Sequence, residues 1–264
     1  MNLLIEAGIL SKEDEEQFMQ LCTAKQIGYA VWNPDGRPPF RPNDHHVFFI
    51  GSIQTALKLQ NAGFQYNVWI GPSFDFSAFA GHFKDIDLLN FDYCIGPHGH
   101  LLDVLAEHPS AELFTRSNSG YKKLIGDVRN YSAYVNDTVG LDMGELIVTA
   151  NTKYSIVEEI RCVVRSSYNE ESDIWVNKII TLSSYTGTEV TNLNVLVPYI
   201  EDILNSSNYH PYPMWVLDVT VLDDLTLRLI ESNSISTCGF YDCDKSVILD
   251  NLKEIFVTEV QNES

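Results

Sequence analysis

Cysteine is scarce in this 264-residue chain: there are five (Cys22, Cys94, Cys162, Cys238 and Cys243), an odd number with no CxxC spacing. That pattern argues against a disulfide framework and leads us to expect free thiols in a reducing, cytoplasmic setting. Histidine offers no zinc site, because the nearest neighbours, His45/His46 and His98/His100, stand too close together to complete four-ligand coordination unaided. No stretch approaches the roughly 20 apolar residues needed to cross a bilayer. No N-terminal segment joins basic residues, an apolar run and a small-residue cleavage site, so neither membrane spanning nor secretion is expected. Positive charge is also short, with 17 Lys and Arg against 36 Asp and Glu and a formal net charge of −19. Such a surface repels polyanions and disfavours broad nucleic-acid binding, although a few cations converging in a cleft reverse the field locally.

Hydrophobic residues make up 45% of the chain, enough for a substantial core. Residues 1–44 open with a short helix after Ser11 and run into the proline-rich loop NPDGRPPFRPNDHH, and they read as an N-terminal extension. VFFIG (47–51) followed by IQTALKLQNAG (53–63) is a strand-then-helix unit, VWIGPS (68–73) and DYCIGP (92–97) are further candidate strands, and HLLDVLAEHP (100–109) is a helix. Residues 45–110 therefore read as a small α/β domain. Residues 111–264 continue with strand-like ELFTRS, ELIVTA, EEIRCVVRS, DIWVNKIITLSSY, MWVLDVTVL and LTLRLIES, a helix over 190–207 and a terminal helix over 245–260. The class is α+β with α/β elements.

Three constellations carry chemistry. MWVLDVTVLDDLTLRLIESN reads as a hairpin turning at Asp223-Asp224, so antiparallel pairing brings Asp218 near Glu231, and the i, i+2 spacing puts Asn233 on the same face as Glu231. Three converging oxygen donors suit magnesium, a hard cation that prefers carboxylate, amide and phosphate oxygens. Solvated acids on an ordinary hairpin would look the same. In TRSNSGYKKLIG a strand end delivers Arg116, and a small-residue loop then delivers Lys122 and Lys123, a combination suited to phosphate oxygens. A basic exposed turn is the bland equivalent. In EEIRCVV, Glu159 and Arg161 share one strand face opposite Ile160 and need a partner or a ligand, or form a surface ion pair. No Ser-His-Asp or Cys-His set stands out.

The order of these features along the chain resembles the ATP-grasp superfamily. More closely, it is similar to a short clade of phages and bacteria that uses an arginine before the lysine loop. The resemblance rests on VFFIGS, LLNFDY, TRSNSGYKKLIG, EEIR followed by SSY, VLDVTV and IESNSISTCGFY, and covers about residues 45–245. Ser117 stands where relatives often have proline, and Ile160 where an aromatic residue is common.

The resemblance implies an ATP-grasp fold of two α+β subdomains after a small strand-helix domain, with the nucleotide cleft between about 111–150 and 151–264. It implies Arg116 and Lys122 (alternatively Lys123) on the phosphates of ATP, with ELIVTAN lining the adenine and so bringing in Glu145, Ile147 and Val148. It further implies Glu159 and Arg161 in the nucleotide site, with Arg161 facing the γ-phosphate or the acylphosphate intermediate, and Asp218, Glu231 and Asn233 on Mg2+. Lys122 and Arg161 are then the catalytic candidates. The implied activity is an ADP-forming carboxylate-amine ligase acting on small-molecule or peptide carboxylates and amines in the cytoplasm, that of the host if the chain is phage-encoded. A non-catalytic ATP-binding module and a kinase-like phosphotransferase are the alternatives.

Overall fold

The computed structural model describes residues 1–151, 154–185 and 193–262. Three sheets make up the architecture. The first holds β1 (Asn2–Glu6), β2 (Gly28–Trp32) and β3 (Val47–Ile50), all parallel in the order β2-β1-β3. Leu3, Leu4 and Ile5 are fully buried, the continuous apolar run expected of a central parallel strand covered on both faces. Helix α1 (Lys12–Ala24) starts where the Ser11 side chain accepts from the Asp14 backbone N–H, and α2 (Ile53–Asn61) starts in the same way at Ser52 and Thr55.

These contacts correct the reading of residues 1–44 as an extension: their first strand is the centre of the sheet that also contains β3. The reading of 68–73 as a strand is corrected too. Asn67 makes an isolated parallel bridge to Phe48, after which the chain turns at Val68–Ile70 and reaches Gly71 with φ of 136°.

After the short helix α3 (Phe76–Ala80), the second sheet contains β4 (Cys94–Pro97), β5 (Leu113–Ser117), β6 (Asp127–Arg129) and β7 (Leu146–Ala150), antiparallel in the order β4-β7-β5-β6. Helices α4 (His98–Glu107) and α5 (Tyr131–Asp137) cover one face through Leu101, Leu105 and Tyr134. Strand β4, which the sequence groups with the small first domain, pairs with β7 and belongs here.

The third sheet is a four-stranded antiparallel one of β8 (Ile156–Asn169), β9 (Ile174–Ser184), β10 (Met214–Leu222) and β11 (Leu227–Ser234), in the order β11-β10-β8-β9. Helix α6 (Leu193–Ser207) packs Ile200 and Leu204 on the face carrying Ile160, Leu217 and Val219. Helix α7 (Lys245–Asn262) packs Ile248, Leu249 and Leu252 against Val163, Met214 and Val216 on the other face, in a cluster that also takes in Leu3, Ile5 and Phe48 of the first sheet. Among the described residues no helix is long and apolar enough to cross a membrane.

Candidate functional site

Every residue of β10 is buried, yet two of its nine side chains, Asp218 and Thr220, are polar. Alternation explains where they point. Leu217, Val219 and Val221 face the α6 core, while Met214 and Val216 face the α7 core, so Asp218 and Thr220 continue the α7 face beyond the end of that helix's apolar cover. A buried carboxylate requires a partner, and the neighbouring strand provides one. Asp218 stands opposite Arg161 of β8 in the register, and the guanidinium donates to it twice, Nε to Oδ1 at 2.9 Å and Nη2 to Oδ2 at 2.8 Å. Nη1 donates to the Gly239 carbonyl at 2.7 Å, and the rings of Tyr185 and Tyr241 lie 5.2 and 4.7 Å from the guanidinium carbon. Burial opposes the Arg161 charge, but the hydrogen bond and charge of Asp218 outweigh it and raise its pKa.

On the other side of β10, Asp218 pairs with Glu231 of β11, and a bulge between Asp218 and Val219 shifts the register so that Val219 meets Leu229 and Ile230 is the extra residue. The Glu231 carboxylate receives Arg116 Nη1 at 2.7 Å and Lys122 Nζ at 2.9 Å. Burial by itself would raise this carboxyl, but the Arg116 and Lys122 cations prevail and hold it down to about 2. Asn233 Nδ2 bridges the two acids, donating to Asp218 Oδ2 at 2.7 Å and to Glu231 Oε1 at 3.0 Å. Because both neighbours only accept, the amide nitrogen must face them. Its Oδ1 is left buried with no hydrogen-bond partner.

Arg116, Lys122, Arg161, Asp218, Glu231 and Asn233 therefore form one connected network drawn from β5, the 118–123 loop, β8, β10 and β11. Arg116, Arg161, Asp218 and Asn233 are each at most 6% exposed. Glu159 lies two residues before Arg161 on the same face, and burial, then the Asp218 and Glu231 charges, raise its pKa against the pull of Arg161.

A cavity of about 540 Å3 opens beside this network. Its polar wall includes Arg116, Lys122, Glu159 and Glu231, together with Asn90, Asp127 and Tyr154, and much of the rest is apolar, including Phe114, Leu124, Ile125 and Ile230. The loop that brings Lys122 to it is held down at several points. Gly120 N donates to Asp75 Oδ1 at 2.8 Å, Asn118 Oδ1 accepts from Ser77 N at 2.9 Å, and Lys122 itself takes a φ of 50° in the left-handed region.

Other sequence candidates stand apart. Lys123 pairs with Glu145 at 2.6 Å, away from Glu231. Ile147 and Val148 do not line the cavity, because β7 is an interior strand. Ile147 packs under α4 and α5, and Val148, on the opposite face, joins the core of Phe76, Phe79 and Leu88. The sequence reading missed the Tyr185–Tyr241 clamp, the Gly239 carbonyl and the apolar wall. SSY and CGFY hold the relevant residues, but no local pattern ties Tyr241 to an arginine 80 positions earlier.

Two carboxylates and an amide whose oxygen has no partner are the donor set a hard divalent cation takes. Among the described residues no group of three Asp, Glu, His or Cys side chains gathers for a metal, so a cation here would complete its shell with phosphate oxygens and water.

No family model and no curated protein matches the sequence. Solved structures do match the fold. The D-alanine-D-alanine ligase from Coxiella burnetii aligns with a TM-score of 0.57 at 15% identity, over 100% of this chain and 97% of that one. A RimK-domain ATP-grasp protein from Sphaerobacter thermophilus gives 0.54 at 12% identity, over 88% and 91%. A carboxyaminoimidazole ribonucleotide synthase from Aspergillus clavatus, solved in complex with ATP, gives 0.51 at 9% identity, over 90% and 70%. At these identities the backbone architecture is what is shared, and the chain has the ATP-grasp fold.

Proposed function

We propose that this protein is an ATP- and magnesium-dependent ligase of the arginine-before-lysine clade, which activates a carboxylate as an acylphosphate for attack by an amine or similar nucleophile and releases ADP. The observation that carries the proposal is the mutual neutralisation at Glu231. Arg116 and Lys122 both hold one carboxylate that sits on the wall of a large, partly apolar cavity. Triphosphate oxygens entering there would take over the two cations, and the released Glu231, with Asp218 and, once its amide has turned over, the Oδ1 of Asn233, would hold Mg2+. The metal, when bound, supplies charge neutralisation to the phosphates. The apolar wall gives a purine base a place to lie, and Ile147 and Val148 contribute to it only by supporting β5 from β7.

Arg161 is fixed by the Asp218 carboxylate, a carbonyl and two rings, so it presents its charge without reorganisation, which is how electrostatic preorganisation lowers a phosphoryl-transfer barrier. In the reaction a carboxylate oxygen bonds to the γ-phosphorus as the bond to the ADP oxygen breaks. The amine nitrogen then bonds to the acyl carbon, phosphate leaves, and the amine proton passes to solvent.

The test is calorimetric titration with ATP, with and without magnesium, on the wild type and on a Glu231→Ala/Asn233→Ala variant. We expect magnesium-dependent binding in the wild type, lost in the variant, and ADP release only when a carboxylate is supplied. A folded wild type that binds no ATP removes the proposal. ATP consumption yielding a phosphorylated alcohol would replace the ligase with a kinase.

A further inference from the structure

A second, smaller cavity of about 210 Å3 lies on the other side of the cationic network. Lys122 lines both cavities, whereas Arg161 and Asn233 line only the smaller one, and Arg116 and Glu231 only the larger. The Lys122–Glu231–Asn233 junction is thus the partition between two compartments, with cations facing each. The wall of the smaller compartment is otherwise polar and close, including Ser234, Thr237 and Cys238, with Ile53 from the start of α2.

At the start of α2 the side-chain donors and the Ser52 N–H are already taken. The Glu6 carboxylate already accepts from Ser52 N at 2.6 Å and from the Ser52 and Thr55 hydroxyls at 3.1 and 2.9 Å. An anion in this compartment therefore meets Arg161 and Lys122.

Resting on the ligase reading above, we infer that the smaller cavity is the compartment of the carboxylate substrate, and that it takes a compact polar acid of about amino-acid size, excluding peptides. Its volume falls below the roughly 300–1,000 Å3 typical of pockets for drug-sized ligands. It equals the liquid volume of about seven waters, room for a carboxylate and a short side chain. In this arrangement the acid keeps its carboxylate between Arg161 and Lys122. One of its oxygens bonds to the γ-phosphorus across the partition as the bond to ADP breaks, and the negative charge passes to the departing ADP.

The experiment supplies the full chain with ATP, magnesium and hydroxylamine, which captures an acylphosphate as a hydroxamate, together with a panel of free amino and hydroxy acids and the matching dipeptides. ATP affinity is measured in parallel. Free acids are expected to give hydroxamate, and dipeptides less by at least about tenfold, a discrimination steric exclusion supports. Thr237→Trp, which fills the compartment, is expected to abolish hydroxamate formation while the ATP dissociation constant stays within about twofold, because Thr237 does not line the nucleotide cavity. Ile53→Ala, which enlarges it, is expected to admit longer acids. Dipeptides that serve as well as free acids, or ATP binding with no reactive acid in the panel, overturn the small-acid inference and leave the nucleotide site standing. Absence of ATP binding overturns both.

Discussion

Glu231 ties the chemistry of the site to the pH-dependence of the fold. Its carboxyl is held at about 2 in the native protein, below the ordinary carboxylate range, because burial is outweighed by Arg116 and Lys122. A depressed native pKa stabilises the fold at pH above the unfolded value, and that contribution fades as pH falls from about 4.5 towards 2. The full shift corresponds to an order of 3 kcal/mol. Denaturant unfolding at pH 6 and pH 3 is expected to show a larger loss of stability in the wild type than in Glu231→Gln, whose uncharged amide has no such titration. Equal losses in the two proteins would mean that the ion pairs contribute nothing in solution.

Asp218 and Arg161 differ from this pair in being locked to each other through two hydrogen bonds inside the sheet. Asp218→Ala leaves a buried guanidinium with only a carbonyl and two rings, and breaking such a pair costs on the order of 3–5 kcal/mol. Arg161→Lys is expected to be nearly as damaging to turnover, since an ammonium cannot reproduce the fork. A double-mutant cycle on unfolding free energies isolates the coupling. Coupling below about 0.5 kcal/mol would reduce the pair to a surface-like contact.

At the scale of elements, the terminal hairpin was legible because β-strands have a period of two: one turn signal at Asp223-Asp224 and the alternation on either side brought Asp218 near Glu231, and it is the bulge that sets them directly opposite. The same rule put Glu159 and Arg161 on one face. What period two cannot show is the bulge at Asp218/Val219, which depends on cross-strand fit, or the interior position of β7, which turns Ile147 and Val148 into core. The first sheet was harder still. Leu3-Leu4-Ile5 is too short a run to show periodicity, and its partners are found 26 and 45 positions along the chain, at Gly28 and Val47 for Asn2.

The 118–123 loop makes its own prediction. A Cβ on Gly120 would stand 2.8 Å from Phe74 Cβ, 3.0 Å from the Phe74 carbonyl carbon and 3.1 Å from the Gly71 oxygen. Much of that obstacle is backbone, so Gly120→Ala must displace the loop and with it Lys122. ATP affinity is expected to fall by about tenfold or more and stability by roughly 1–3 kcal/mol, the usual range for overpacking. Calorimetry and thermal unfolding check the two together, and unchanged ATP affinity would separate the loop's position from nucleotide binding.

Across the whole molecule, the charged network around Glu231 and Asp218 belongs to the second and third sheets but is braced by the first. Phe18 of α1 meets Phe240 edge-on at 5.2 Å, next to the Gly239 carbonyl that accepts from Arg161. Gly51 N donates to Ser236 O at 2.9 Å, and Lys245 pairs with Asp14 at 2.8 Å. Leu3, Ile5, Phe18 and Cys22 share one core with α7, β8 and β10. A chain starting at residue 45 would lose β1, β2 and α1, leave β3 without its strand partner and expose the apolar face of α7. Burial of a single large apolar side chain is worth about 1.5–3 kcal/mol, so the loss of several exceeds the stability of an ordinary domain. Such a chain is expected to show no cooperative thermal transition and no ATP binding, whereas a full chain with Phe18→Ala should fold with a loss of roughly 3–5 kcal/mol. A truncated chain that melts cooperatively and still binds ATP would make residues 1–44 a separable segment after all, and would place the brace on Gly239 and Arg161 within the last two sheets alone.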